Sequence, residues 1–190
     1  MIEIRIHGRG GQGAVIASQM LASAAFEAGR YVQAFPSFGV ERRGAPVTAF
    51  ARIDDRPIRL RCQIYEPDHA IVLDSTLLES VDVTAGLKDN GWILINSSFP
   101  PEHFQFSRFR VATLDANSIA IKHRLGPKTS PIVNTAILGA FIRITGLTSL
   151  EILLETVRKE VPINPRGNVG ATQEAYEKVL MAEEKVRTGA

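Results

Sequence analysis

His7-Gly8-Arg9-Gly10-Gly11-Gln12-Gly13-Ala14 follows directly on Ile2-Glu3-Ile4-Arg5-Ile6, where apolar and charged residues alternate. Alternation of period two marks a strand with one buried face. The residues beyond the glycines, Gly13 to Ala28, read as a helix, and Gly29 stands where a left-handed C-terminal residue belongs. A strand, a glycine turn and a helix aim backbone N–H groups and a positive helix end at one point, which is the physical basis of anion binding. Gly8, Gly10 and Gly13 satisfy G-x-G-x-x-G. Two readings stay open: the loop binds phosphate, or its glycines only allow the strand and helix to approach closely. A self-sufficient nicotinamide dinucleotide site is disfavoured. It needs an acidic residue at the end of the second strand, whereas Tyr31-Val32-Gln33-Ala34-Phe35 holds none and runs into Pro36.

Outward from this stretch, apolar runs and helical periodicity alternate, which predicts an α/β fold. Tyr31–Phe35 is a second strand. Val47–Ile53 and Ile58–Ile64 flank Asp54-Asp55-Arg56-Pro57 and read as a β-hairpin. Ala70–Leu73, Trp92–Asn96 and Arg110–Leu114 are further strands; the first is apolar throughout, as a central parallel strand is, and the second reads as another buried strand. Helices are expected over Ser75–Val81, Ile119–Arg124, Ile132–Thr145 and Leu150–Val161, the last capped by Ser149. Pro162–Gly167 reads as a linker before a final amphipathic helix over 168–186. The expected architecture is a Rossmann-like, mostly parallel sheet with a β-hairpin insertion and flanking helices, formed by residues 1–190 as a single domain.

Composition narrows the function. The chain has 190 residues, 45% hydrophobic and 22% charged, with 22 basic against 20 acidic side chains. That balance supplies no broad basic field for nucleic acid. One cysteine, Cys62, excludes internal disulfides, iron–sulfur clusters and cysteine-based zinc sites within the chain. No apolar run reaches the roughly 18 residues of a membrane span. With no leader-like segment before Ile2, a cytoplasmic location is expected.

A second candidate site is the stretch Pro36-Ser37-Phe38-Gly39-Val40-Glu41-Arg42-Arg43-Gly44-Ala45-Pro46. Two adjacent guanidinium groups can fork onto phosphate or carboxylate. Phe35 and Phe38 beside them point to a functional or subunit-facing loop rather than a solvated turn. The four histidines, at 7, 69, 103 and 123, lack metal-ligand spacing. His69 and His103 read as surface or satisfied polar positions, and His7, beside the glycine loop, is the one of interest. Asp74 and Asp115 end strands, where ligand-orienting loops begin. No catalytic set and no metal site emerge from these residues.

The block Gly8-Arg9-Gly10-Gly11-Gln12-Gly13 resembles the start of the gamma chain of 2-oxoacid:ferredoxin oxidoreductases, the pyruvate/ketoisovalerate group. The likeness continues through Ala34–Val47, Tyr65-Glu66-Pro67-Asp68, Leu73-Asp74, Asn134–Ala140 and Ser149-Leu150-Glu151, nearly the whole chain in order. These enzymes decarboxylate a 2-oxoacid oxidatively with coenzyme A, give an acyl-CoA and reduce ferredoxin. The resemblance implies a non-catalytic gamma subunit working with alpha, beta and delta-type subunits, with thiamine diphosphate, Mg and Fe–S clusters on partner chains. It implies that this chain aids assembly and contacts coenzyme A, through Gly8, Arg9, Gly10, Gly11, Gln12, Gly13, Arg42 and Arg43, and that it is silent alone. No nucleic acid or membrane partner is expected. Pyruvate is the default substrate; branched-chain, aryl and 2-oxoglutarate relatives, or a stand-alone nucleotide-binding protein, are the alternatives.

Overall fold

The computed structural model describes residues 1–37 and 44–182. The stretch 2–9 forms β1 (Ile2–Arg9), and α1 (Ala14–Glu27) follows the glycine turn. Next come β2 (Tyr31–Pro36), β3 (Pro46–Asp54), β4 (His69–Val72), β5 (Trp92–Asn96) and β6 (Arg110–Leu114). The remaining elements are α2 (Ala116–Lys122), α3 (Ala136–Thr145), α4 (Leu150–Glu160), α5 (Pro165–Lys178) and the short β7 (Leu180–Met181). Single 3₁₀ turns cover Ser75–Glu79 and Pro101–His103.

The seven strands form one sheet in the order β2-β3-β1-β4-β5-β6-β7. β1, β4, β5 and β6 pair in parallel, while β3 runs antiparallel between β1 and β2, and β7 antiparallel to β6. Five of the seven strands therefore point the same way, and the expected mostly parallel α/β class holds.

Register explains how the two faces differ. Ile4 pairs with Ala51 and Ile6 with Ala49 and Ile71, an apolar face on which residues of all five helices share one core. The alternate residues point the other way: Glu3 opposite Arg52, Arg5 opposite Phe50 and Ala70, His7 opposite Val72. On that side a second core of Ala70, Val72, Ile93, Ile95 and Val111 is covered by Leu77 from the 3₁₀ turn and by Val83 and Leu87 from irregular chain. The helices thus flank one face only among the described residues.

Three local expectations are corrected. The hairpin is β2–β3, not 47–64: Ile58–Ile64 forms no strand, and β3 gives both its edges to β1 and β2. The final helix runs Pro165–Lys178 rather than 168–186, because Asn164 caps it through Gly167 N and Pro165 stands at its first position, where a missing N–H costs nothing. Beyond it, Leu180 and Met181 pair with Thr113 and Ala112. The apolar helix begins at Ala136, not Ile132.

α3 is the hub of the helical layer. Ile137, Leu138, Ala140 and Phe141 are fully buried. Gly139 lies against the backbone of α5, where a Cβ would fall 3.2 Å from Tyr176 N and collide with the Thr172 carbonyl.

Candidate functional site

The chain leaves β1 toward the helical face, through α1, and leaves β4 toward the opposite face, through residues 75–87. The carboxyl ends of β1 and β4 therefore border a crevice where the connections diverge, the place at which open α/β sheets take up ligands. The glycine loop forms one wall.

Its glycines have separate causes. A Cβ on Gly8 would press on Leu73 at 3.2 Å and Ala14 at 3.3 Å, so Gly8 serves close packing. Gly10 pairs its backbone with Ala45 and Gly44. Gly11, with φ of +97°, faces open space. Gly13, with φ of +80°, is the cap residue of α1 and abuts Asn134, whose Nδ2 would lie 2.6 Å from an added Cβ. Having no side chain, Gly13 gives the helix no cap hydrogen bond, and no acid stands in the first turn. The amides of Ala14, Val15 and Ile16 have no partner within the helix by its geometry. The helix end is left positive.

Arg9 and Gln12 brace this loop from within. The Arg9 guanidinium donates to Asp74 Oδ2 at 3.1 Å, to Thr76 Oγ1 at 2.8 Å and to the Gly44 carbonyl at 3.2 Å. Gln12 accepts from Arg9 N at 2.7 Å and donates to Asp74 Oδ2 at 3.1 Å. Burial pushes the Asp74 carboxyl up, but the Thr76 hydroxyl and amide, Gln12 and the Arg9 charge outweigh it and hold it below the ordinary carboxylate range. Asp74 is thus an ionised anchor joining the ends of β1 and β4. Arg9 reaches a ligand only with the donors these contacts leave over.

His7, the last histidine before the loop, is buried and accepts from Arg5 Nε at 3.0 Å through its own Nε2. Burial and the Arg5 charge, opposed by Asp82, lower its pKa to about 4, so it is neutral at pH 7. The Arg5 guanidinium in turn donates to the Val83 carbonyl at 3.0 Å and the Ala85 carbonyl at 2.6 Å. This chain of contacts pins irregular cover to the sheet. His69 accepts from Trp92 N at 3.2 Å, and His103 stacks on Phe99.

Arg42 and Arg43 lie outside the described residues. Gly8 to Gly13 are brought together with Asp74 and Asn134, two residues that the expected binding set omits. Asp74 was legible as the acid closing an apolar strand. Asn134 offered only its place in the Asn-Thr block before α3, since its contact with Gly13 spans more than a hundred residues. Among the described residues no group of three or more His, Cys, Asp and Glu could hold a metal. No helix among them is long and apolar enough to cross a membrane.

The model of the family described as "Pyruvate ferredoxin/flavodoxin oxidoreductase" matches residues 3–178. The chain is 54% identical over 189 residues, 96% of it and 100% of the relative, to "Pyruvate/ketoisovalerate oxidoreductases common subunit gamma" of Thermococcus kodakarensis. It is 52% identical, over 94% of its length and 96% of the relative's, to "Pyruvate synthase subunit PorC" of Methanothermobacter thermautotrophicus. The crystal structure of pyruvate oxidoreductase subunit PORC from Thermotoga maritima is similar with a TM-score of 0.82 and 40% identity, covering 96% of this chain and 98% of that one.

Proposed function

This chain belongs to the pyruvate ferredoxin/flavodoxin oxidoreductase family, as a gamma-type subunit of an oxidoreductase complex, and from that premise we propose that it holds a phosphate of coenzyme A at the crevice beside β1 and β4. The complex would decarboxylate a 2-oxoacid, pyruvate by default, transfer the acyl group to coenzyme A and pass electrons to ferredoxin. The observation that carries the coenzyme A reading is the uncapped start of α1. Gly13 leaves the amides of Ala14 to Ile16 without a side-chain acceptor, and the Asn134 carboxamide stands beside Gly13.

The donor set fits a phosphate group. It consists of amide N–H groups, with the one nearby carboxylate, Asp74, already held by Arg9, Gln12 and Thr76. Arg9 acts by fixing the loop's shape, so that the amides converge before the ligand arrives. The described residues do not fit the other groups of the family. One cysteine cannot ligate an iron–sulfur cluster, and no carboxylate cluster awaits the metal of thiamine diphosphate. Those groups are assigned to alpha, beta and delta-type partners, and the described residues of this chain are assigned no catalytic role.

The relative from Thermococcus kodakarensis is named as common to pyruvate and ketoisovalerate oxidoreductases. A shared gamma chain of that kind supports a reading in which partners select the oxoacid and this chain serves coenzyme A and assembly. The loop bearing Arg42 and Arg43 is proposed to face a partner or the entrance to the shared active site.

Reconstitution tests the proposal. The chain alone, given 2-oxoacid, thiamine diphosphate and coenzyme A, is expected to reduce no acceptor. The complex lacking it is expected to lose acyl-CoA formation and to regain it on addition of the chain. Turnover by the pure chain, or a full rate without it, would overturn the reading.

A further inference from the structure

Ile58-Arg59-Leu60-Arg61-Cys62-Gln63 has the alternating pattern of a strand, yet it pairs with none. Among the described residues its six amides donate to no acceptor. Its carbonyls are touched by side chains alone: Gln33 Nε2 reaches the carbonyls of Ile58 at 3.3 Å and Leu60 at 3.0 Å, and Arg52 that of Gln63 at 3.3 Å. Two carbonyls two residues apart that face the same side are the signature of extended chain. Unpaired backbone of this kind must find water or a partner.

A second unpaired backbone lies opposite. Among the described residues β2 ends the sheet, with β3 its sole strand neighbour. Between Gln33–Pro36 of β2 and Leu60–Gln63 lies a cavity of about 470 Å³ with the buried Arg52 on its floor. Each wall is four consecutive residues long, about 13 Å of strand. The slot has two extended walls joined by side chains and not by backbone pairing: Gln33 reaches across at one end, and Gln63 Nε2 donates to Ser37 Oγ at 2.9 Å at the other.

Its charge has one sign. Arg56, Arg59 and Arg61 are exposed and form no ion pair among the described residues. The two acids just before the segment are already paired, Asp54 with the Met1 ammonium at 3.4 Å and Asp55 with Arg30 at 2.6 Å. Arg52 on the floor is neutralised by Glu3 at 2.7 Å.

From the unpaired walls, the strand-patterned sequence and the arginine rim, we infer that this slot receives an extended, acidic segment of a partner polypeptide in the oxidoreductase complex, bound by strand addition. Backbone pairing would supply the affinity, and Arg59 and Arg61 would select acidic side chains. The inference rests on the proposed complex, although the slot is distinct from the glycine loop.

The test is amide hydrogen exchange on the purified complex and on the full chain alone, together with the variant Arg59→Glu/Arg61→Glu. Amides of residues 58–63 are expected to exchange at least tenfold more slowly in the complex. The double charge reversal, at exposed positions, should leave the chain folded, weaken assembly at least tenfold and abolish its salt dependence. Equal exchange rates in a complex of confirmed native mass would overturn the slot alone. Absence of any complex would overturn both the slot and the proposed function. Protection in the chain alone that rises with its concentration would make the occupant a second copy, and protection by small anions a soluble ligand; each refutes the inference.

Discussion

Gly139 is the most constrained glycine of the helical layer, and Gly139→Ala puts a number on the approach of α3 to α5. An added Cβ would collide with the Thr172 carbonyl oxygen and lie 2.9 Å from its carbon and 3.2 Å from Tyr176 N. All three are backbone atoms, so no rotamer change relieves the contact. The helices must move apart and loosen Phe141, Ala171 and Ala175, each fully buried. Overpacking costs about 1–3 kcal/mol, and more where backbone has to shift. Replacing helical glycine by alanine returns about 1 kcal/mol of propensity. The expected net loss is about 2 kcal/mol, read by urea unfolding of the isolated chain as a midpoint lowered by about 1 M at unchanged slope. Gly29→Ala is the control: its φ is +82° with open space around the Cβ, so it reports conformational strain without collision. A Gly139→Ala midpoint equal to wild type, or above it, would refute the close approach.

Phe141→Ala removes a fully buried ring and is expected to cost about 3–5 kcal/mol in the same assay; a loss under about 1 kcal/mol would show that face to be exposed in the lone chain. His7 gives a pH signature. Its folded pKa of about 4 lies below the unfolded value near 6.5, so the unfolded chain binds the extra proton. Stability on this account is full above pH 6.5 and falls by about 3 kcal/mol as the pH drops to 4. His7→Gln should flatten that window, and an unchanged pH profile would refute the buried neutral imidazole. In the assembled enzyme Arg9→Ala should raise the KM for coenzyme A several-fold and leave thiamine-dependent decarboxylation of the oxoacid untouched, because it frees Asp74 and slackens the loop; an unchanged KM with an ordered loop would remove Arg9 from the site.

What the sequence revealed and what it hid divide along the distance between partners. The β1–turn–α1 unit is written in neighbouring residues, Ile4 and Ile6 alternating with Glu3 and Arg5, then Gly13 at the cap, and local chemistry settles it. Asp74 meets Arg9 across 65 positions, and nothing near either residue announces the pair. Ile58–Ile64 carries strand chemistry without a strand neighbour, so pattern alone turned it into a hairpin arm while β3 paired with β1 and β2 instead. The sequence pattern places the start of α5 at residue 168, after a linker, although Asn164 and Pro165 within that linker are its cap and its first-turn proline. Its end was hidden as well, since Leu180 and Met181 leave helical conformation to pair with β6. Of the candidate binding residues, Gly8 to Gly13 lie together at the crevice because they are contiguous. Asn134 joins them by tertiary packing against Gly13.

The most direct test of the phosphate site is a structure of the assembled oxidoreductase with coenzyme A bound. The account requires a phosphate of coenzyme A within hydrogen-bonding distance, about 2.7–3.2 Å, of amides among Gly11 to Ile16, with Arg9 still on Asp74. Coenzyme A bound with every phosphate well beyond hydrogen-bonding reach of that loop would contradict it.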